Sequence, residues 1–183
     1  MKPLLRFAGV SLRRGGRLLF EGLDLALHPG EALQVAGPNG SGKSSLIRLA
    51  AGLLRQEQGQ VDRSPLALAD DHIALDRELS LLRSLRFWGG GPDAAMDAVG
   101  IGHLADVPVR LLSSGQLKRA ALARVAASGT PLWLLDEPLN ALDADAVARL
   151  AELIDAHRTG GGGVLAASHQ PLGGNWRKLE LTL

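Results

Sequence analysis

The apolar residues of this chain follow two rhythms, one of strands and one of helices. Near the start, "LLRFAGVSL" at 4–12 and "LDLAL" at 23–27 read as strands joined by the turn "RRGGR". The short apolar run "EALQVAG" at 31–37 feeds a glycine-rich loop. Beyond it, "SSLIRLAAGLL" has the spacing of a helix that ends near Gly52. At 78–88, Leu81, Leu82, Leu85 and Trp88 fall on one side of an amphipathic helix. A second strong helix is "GQLKRAALARVAAS", with Gly115 in front and Ser128-Gly129 behind. Then come "PLWLLDEP", a buried-strand pattern ending in two acids, and the helix "DADAVARLAELIDAHR". A glycine turn and the short apolar strand "VLAAS" follow, and "KLELTL" closes as an alternating edge strand. Strands alternating with helices predict an α/β fold with a mainly parallel sheet. Ligands of such sheets sit at the carboxyl ends of the strands. Gly37, Asp136 and His169 all fall at those ends, so they are expected to converge.

The bulk numbers narrow the function without naming it. A chain of 183 residues is expected to form one domain with a proper core. Lys and Arg total 20 against 19 acids, so no strong field favours nucleic acid or anionic lipid. The absence of cysteine excludes disulfides, thiolate metal sites and cysteine nucleophiles. "MKPLLRFAGV" has Arg6 inside a short apolar run and does not read as a signal peptide. No window approaches the roughly 20 apolar residues that cross a bilayer. A role at a membrane would require another chain to bring it there.

Residues Gly37, Pro38, Asn39, Gly40, Ser41, Gly42, Lys43 and Ser44, with Ser45 beside them, fit the phosphate-loop pattern G-x-x-x-x-G-K-[ST]. The glycines let successive backbone N–H groups turn toward one point, an anion nest at a helix N-terminus. Lys43 adds a full positive charge for the β- and γ-phosphates, and the Ser44 hydroxyl suits Mg²⁺. After "LWLL", Asp136 is suited to the outer shell of that ion. Glu137 is suited to orient and deprotonate an attacking water. Adjacent strand residues point to opposite faces, which would separate the two roles. His169, at the polar end of "VLAAS", is placed to sense a third phosphate or the attacking water. His28, His103 and His157 have no such context and read as surface or core residues. A second small-residue loop, "LSSGQ" at 112–116, puts Ser113, Ser114 and Gly115 at another helix N-terminus. That makes a second anion site, although Ser113 also reads as an ordinary helix cap.

In this order and spacing the motifs resemble ATP-binding cassette (ABC) ATPases along nearly the whole chain. The resemblance implies a P-loop NTPase fold of the ABC type, in one domain over 1–183. Its parts would be a mainly parallel core sheet, an N-terminal antiparallel β part and a helical signature subdomain at roughly 74–128. It implies ATP and Mg²⁺ as ligands, with Ser44 on the metal and Asp136 reaching it through water. It also implies a second copy of the chain. Two cassettes meet head to tail, so that Ser113, Ser114, Gly115 and Gln116 of one close over the γ-phosphate held by the other. "NALD" at 140–143 matches the family's D-loop, which puts Asp143 at the dimer seam; the same residue reads equally well as the cap of the following helix.

Three departures from the family pattern stand out. Ser114 occupies a position that is usually Gly. The Gln that normally links Mg²⁺ to the transmembrane partner is missing, since no Gln occurs from 61 to 115; a gap-free reading puts His72 there, with Asp71 as neighbour. The aromatic that usually stacks on adenine is also missing. The first hairpin offers Arg13, Arg14 and Arg17, whose planes suit either stacking or a solvated turn.

Within the family the chain most resembles the haem-exporter ATP-binding subunits of cytochrome c maturation systems. The segments that carry this are "LRFW", "DVPVRLLSSGQ", "PLWLLDEP" and "SHQPL". That resemblance implies a peripheral subunit on the cytoplasmic face of the inner membrane, docked on integral membrane permease subunits. Helix 78–88 is either the contact for that partner or an ordinary core helix. A soluble ABC ATPase acting on nucleic acid is disfavoured by the near-neutral charge. A transporter ATPase for another cargo, or a weakly active ATP-dependent clamp, remain alternatives.

Overall fold

The first two apolar stretches pair as a hairpin. In the computed structural model, which describes residues 2–181, β1 (Leu5–Arg14) and β2 (Arg17–Leu27) run antiparallel. The turn is only Gly15-Gly16, at φ 55 and 80. Two consecutive positive φ values are what a two-residue hairpin turn requires, and glycine supplies them without strain. The arginines assigned to the turn from sequence therefore belong to the strands. The chain then enters a second sheet as β3 (Ala32–Ala36), turns through a loop into α1 (Lys43–Ala50), and returns to the hairpin as β4 (Gln58–Arg63). The small sheet has the order β2-β1-β4. In "QGQVDR" only Val61 is even partly buried, so this strand carries no hydrophobic signature.

The remaining elements build the main sheet and its cover. They are β5 (Leu66–Ala69), α2 (Leu81–Arg86), α3 (Pro92–Ala98), α4 (Ser114–Ala127), β6 (Leu132–Asp136), α5 (Ala144–Thr159), β7 (Gly163–Ala167) and β8 (Arg177–Glu180). The five-stranded sheet has the order β5-β6-β7-β3-β8, and every neighbouring pair is parallel. Its middle strands β6 and β7 are buried along their whole length, as expected for a sheet covered on both faces. The final stretch pairs with β3 alone and is an edge strand; its last two residues lie outside the described ones.

The helix expected over 78–88 is shorter, Leu81–Arg86. Residues 79–81 are instead tied to the segment before α4: Leu81 N donates to Val107 O at 2.9 Å and Val109 N to Leu79 O at 3.0 Å. Gly89 and Gly90, both at positive φ, end the helical run on the other side. Trp88 falls beyond it, donating its indole N–H to Ala74 O at 3.0 Å. Helix α3, "PDAAMDA", buries little more than Pro92, Ala95 and Met96, and a short alanine-rich run gives no periodic signal.

The parallel sheet separates two cores, because alternate side chains of one strand leave by opposite faces. Trp133 and Leu135 join the helices α2 to α5, whereas Leu132 and Leu134 join α1 and the small sheet. Next in this alternation is Asp136, on the α1 side and beside the loop 37–42.

Candidate functional site

The carboxyl ends of β3, β6 and β7 border one cleft of about 580 Å³. Asn39, Gly40, Lys43, Ser44, Glu137 and His169 all line it. The loop after β3 leads into α1 through Gly42 at φ 101, a backbone conformation that side-chain-bearing residues rarely adopt. Lys43 is 6% exposed, and its ammonium donates to Gly37 O at 2.8 Å and Pro38 O at 3.1 Å, so the loop is folded around its own charge. Ser44 donates its hydroxyl to Asp136 Oδ1 at 3.0 Å. Asp136 is 4% exposed. Burial pushes its carboxyl above the ordinary aspartate range, against the pull of the Ser44 hydrogen bond. A hydroxyl and a carboxylate side by side form an oxygen-only donor set, which suits a hard cation such as Mg²⁺.

Glu137 is not the last residue of a strand, as the sequence suggested. β6 ends at Asp136, and Glu137 turns away at φ 44, a left-handed conformation costing a non-glycine residue roughly 1–2 kcal/mol. Strand alternation therefore does not aim it; the turn does. Its N–H donates to Ala167 O at 2.8 Å, and its Oε2 lies 2.8 Å from His169 Nδ1. Strained backbone at a polar site is a recurrent mark of function. His169 follows β7 by two residues, and the segment carrying it is braced by Gln34. The amide of Gln34 donates to Ser168 O at 3.3 Å and Gln170 O at 2.8 Å. Gln34 is 2% exposed in the middle of β3 and was not singled out from sequence; a lone amide inside "ALQVA" was the available signal. Asn140, also in the cleft wall, was noticed only as part of its motif.

Of the three hairpin arginines, Arg14 lines the cleft with Leu19 and donates to Ser45 Oγ at 3.3 Å. Arg13 instead bonds Gly16 O and faces Glu57. The residues Ser113, Ser114, Gly115 and Gln116 open α4. Ser113 Oγ accepts from Gln116 N at 3.3 Å while Gln116 Oε1 accepts from Ser113 N at 2.8 Å, a reciprocal capping box. Among the described residues lining the nucleotide-sized cleft, none comes from 113–116. Gly115 is pressed against the loop after β6: a Cβ there would sit 2.8 Å from Ala141 O. Asp143 caps α5, accepting from Ala146 N at 2.9 Å, and also lies 3.5 Å from Arg119.

His72 stands apart. Its side chain is 78% exposed and its ring Nδ1 lies 3.3 Å from Asp70 Oδ2, outside the residues that line the cleft. Asp71 faces a separate hollow shared with Ser114, Lys118 and Ala141. Burial lowers the Lys118 ammonium pKa below its ordinary value, partly offset by the carboxylates of Asp71, Asp136, Glu137 and Asp70.

Comparison with known proteins agrees with this geometry. The ABC transporter family matches residues 20–140. A "Cytochrome c biogenesis ATP-binding export protein CcmA" of Sphingopyxis alaskensis is 56% identical over 177 residues, covering 92% of this chain and 91% of that protein. The protein so described in Novosphingobium aromaticivorans is 55% identical over 169 residues, covering 89% of this chain and 87% of its own length. Among solved structures, an ATP-binding subunit of an ABC transporter superposes with a TM-score of 0.83 at 21% identity, over 91% of this chain and 79% of the other. An ABC transporter ATP-binding protein from Pyrococcus furiosus gives a TM-score of 0.84 at 19% identity, over 97% and 96%. Those two establish the fold alone. Among the described residues no helix is long and apolar enough to cross a membrane. With the relatives' identity running through nearly its full length, the chain belongs to the ABC transporter family, beside the cytochrome c biogenesis ATP-binding export proteins.

Proposed function

We propose that two copies of this chain bind two molecules of Mg·ATP head to tail, close over them, hydrolyse them, and pass the opening and closing to integral membrane permease subunits. The cargo step is the export step of cytochrome c biogenesis named for the relatives, with haem export as its chemistry. The subunit then works on the cytoplasmic face of the inner membrane, held there by its partners. Lys43 and the N–H groups of 37–42 grip the β- and γ-phosphates. Ser44 and Asp136 hold Mg²⁺, which supplies charge neutralisation at the phosphates when bound. Glu137 takes the proton of the attacking water, and His169 fixes Glu137 through the 2.8 Å contact and meets the γ-phosphate.

The observation that carries this reading is the division of parts. The phosphate loop, Glu137 and His169 share one cleft, with Asp136 bonded to Ser44 behind its wall, while the capped start of α4 lines another surface. A second copy brings the missing half, since an isologous interface builds both sites at once. Residues 74–128 are the part we assign to the swing between states. Leu75, Leu79, Phe87 and Trp88 on them, with Ile73 just before, border an apolar hollow of about 420 Å³. Phe87 is 82% exposed there, a surface suited to an apolar segment of the membrane partner.

Glu137→Gln tests both halves of the reading. Turnover should fall about 10²-fold or more, and ATP should trap a dimer that is recovered from detergent together with multi-span membrane proteins. Unchanged turnover would refute the hydrolytic role. Recovery with ribosomes or DNA would refute the transporter role.

A further inference from the structure

Glu137 is aimed by one peptide group, the bond between Asp136 and Glu137. Its two polar atoms are both held. The N–H donates to Ala167 O at 2.8 Å, which the neighbouring strand explains. The C=O accepts from the ammonium of Lys118 at 3.0 Å, and that contact comes from a different layer of the molecule. Lys118 lies one helical turn into α4, on the side of the sheet opposite α1. The same helix reaches the adjacent strand through Arg124, which donates to Leu68 O. Thus α4 touches the ends of both β5 and β6 with cations, at the hollow where the loops after those strands meet it.

This matters because rotation of a peptide plane changes the ψ of the residue before it and the φ of the residue after it. Glu137 stands at φ 44, a value that persists only where the surroundings fix it. An N–H held from one side leaves the plane free to pivot about that contact. Holding the carbonyl as well removes the pivot.

We infer that Lys118 is a positioning residue for hydrolysis: its ammonium clamps the Asp136–Glu137 peptide so that the Glu137 carboxylate faces His169 and the cleft. Resting on the hydrolytic role proposed for Glu137, the inference adds a side chain from the helix opened by Ser113–Gln116. A displacement of α4 therefore moves the general base directly. Lys118 is not among the residues lining the cleft, and this role needs no contact with the phosphates.

The test is steady-state ATP hydrolysis by the full chain, at concentrations that saturate dimer formation, in five forms: wild type, Lys118→Met, Lys118→Gln, Glu137→Gln and the double variant of Lys118→Met with Glu137→Gln. Lys118→Met should lower kcat about 10- to 100-fold, the scale of a misplaced catalytic group, with KM for ATP and the affinity of a fluorescent ATP analogue unchanged. Added to Glu137→Gln, it should do nothing further, because the carboxylate it aims is gone. Lys118→Gln, whose amide can still donate to the same carbonyl, should recover most of the lost kcat, and it serves if the Met variant does not fold. An unchanged kcat in Lys118→Met overturns the inference. So does an equal further loss on the Glu137→Gln background, or a loss in Lys118→Gln as large as in Lys118→Met. Failure of the underlying reading looks different: Glu137→Gln alone would then hydrolyse at the wild-type rate.

Discussion

The chain carries two small-residue loops at helix N-termini, and they are made in opposite ways. The loop before α1 is surrounded by buried polar groups: Lys43, Ser41, Asp136, Gln34 and Ser168 are all 6% exposed or less. The start of α4 is exposed at Ser113 and Ser114 and satisfies the N–H groups of Ser113 and Gln116 with its own capping box. A buried polar network is worth its desolvation only if every member finds a partner. In the first loop Lys43, Asp136, Gln34 and Ser168 find partners within the chain, and of the five only the Ser41 hydroxyl has none. The second is finished as a helix end, and on the function proposed its anion site is completed by a second copy. On that reading one loop is a half-site held within the chain and the other serves the partner copy.

That contrast breaks most sharply in a mixing experiment. Lys43→Ala and Ser113→Glu should each abolish turnover, the first by removing charge at the phosphates and the second by placing a carboxylate against them. Mixed in equal amounts, they should recover about a quarter of wild-type activity. Half of the dimers are then mixed, and each mixed dimer holds one site with both halves intact. If the mixture stays dead, the two loops do not belong to one shared site.

Gly115→Ala sharpens the comparison by loading only the exposed loop. The new methyl must displace Ala141 O, since it would lie 2.8 Å away. Turnover should fall roughly 10-fold, as for other small misplacements near chemistry. ATP affinity of the separated chain should hold, because the cleft is lined by other residues. Binding isotherms on dilute protein decide it; a parallel loss of affinity would mean that the two regions are not separable.

The smallest effect concerns the strand that delivers Asp136. His157 stacks on Trp133 of β6 with ring centroids 3.7 Å apart. Burial lowers its imidazole pKa, against the pull of the main chain at Pro131 and Gly163. A base whose pKa is lowered on folding contributes stability above its unfolded value, about 6.5, and loses it as pH falls through the folded value. Thermal midpoints should therefore drop by a few degrees between pH 7 and pH 5. Replacing His157 with Phe should flatten that slope. A slope as steep in the Phe variant would assign it to other groups.

How much of this was legible beforehand depended on whether a feature is local. The phosphate loop, the acidic strand end and the helix opened by "LSSGQ" are written in consecutive residues, and all three occur where they were expected. Strands β4 and β5 were not. "QGQVDR" has no hydrophobic period, and it is a strand because β1 offers it an open edge. Helix 78–88 lost its first turn to hydrogen bonds with residues 107–109, which no reading of its own periodicity could reveal. His72 and Asp71 are sequence neighbours, yet one turns to Asp70 in solvent and the other faces Lys118.

The sequence by itself determined where a loop fit to grip a nucleotide stands, at the end of an apolar strand. A nest of N–H groups and a strand-end carboxylate are specified by spacing alone. Only the tertiary structure decided which way Glu137 points, because its direction depends on a peptide held between β7 and α4. Two contacts from distant parts of the chain leave no trace in the residues on either side of it.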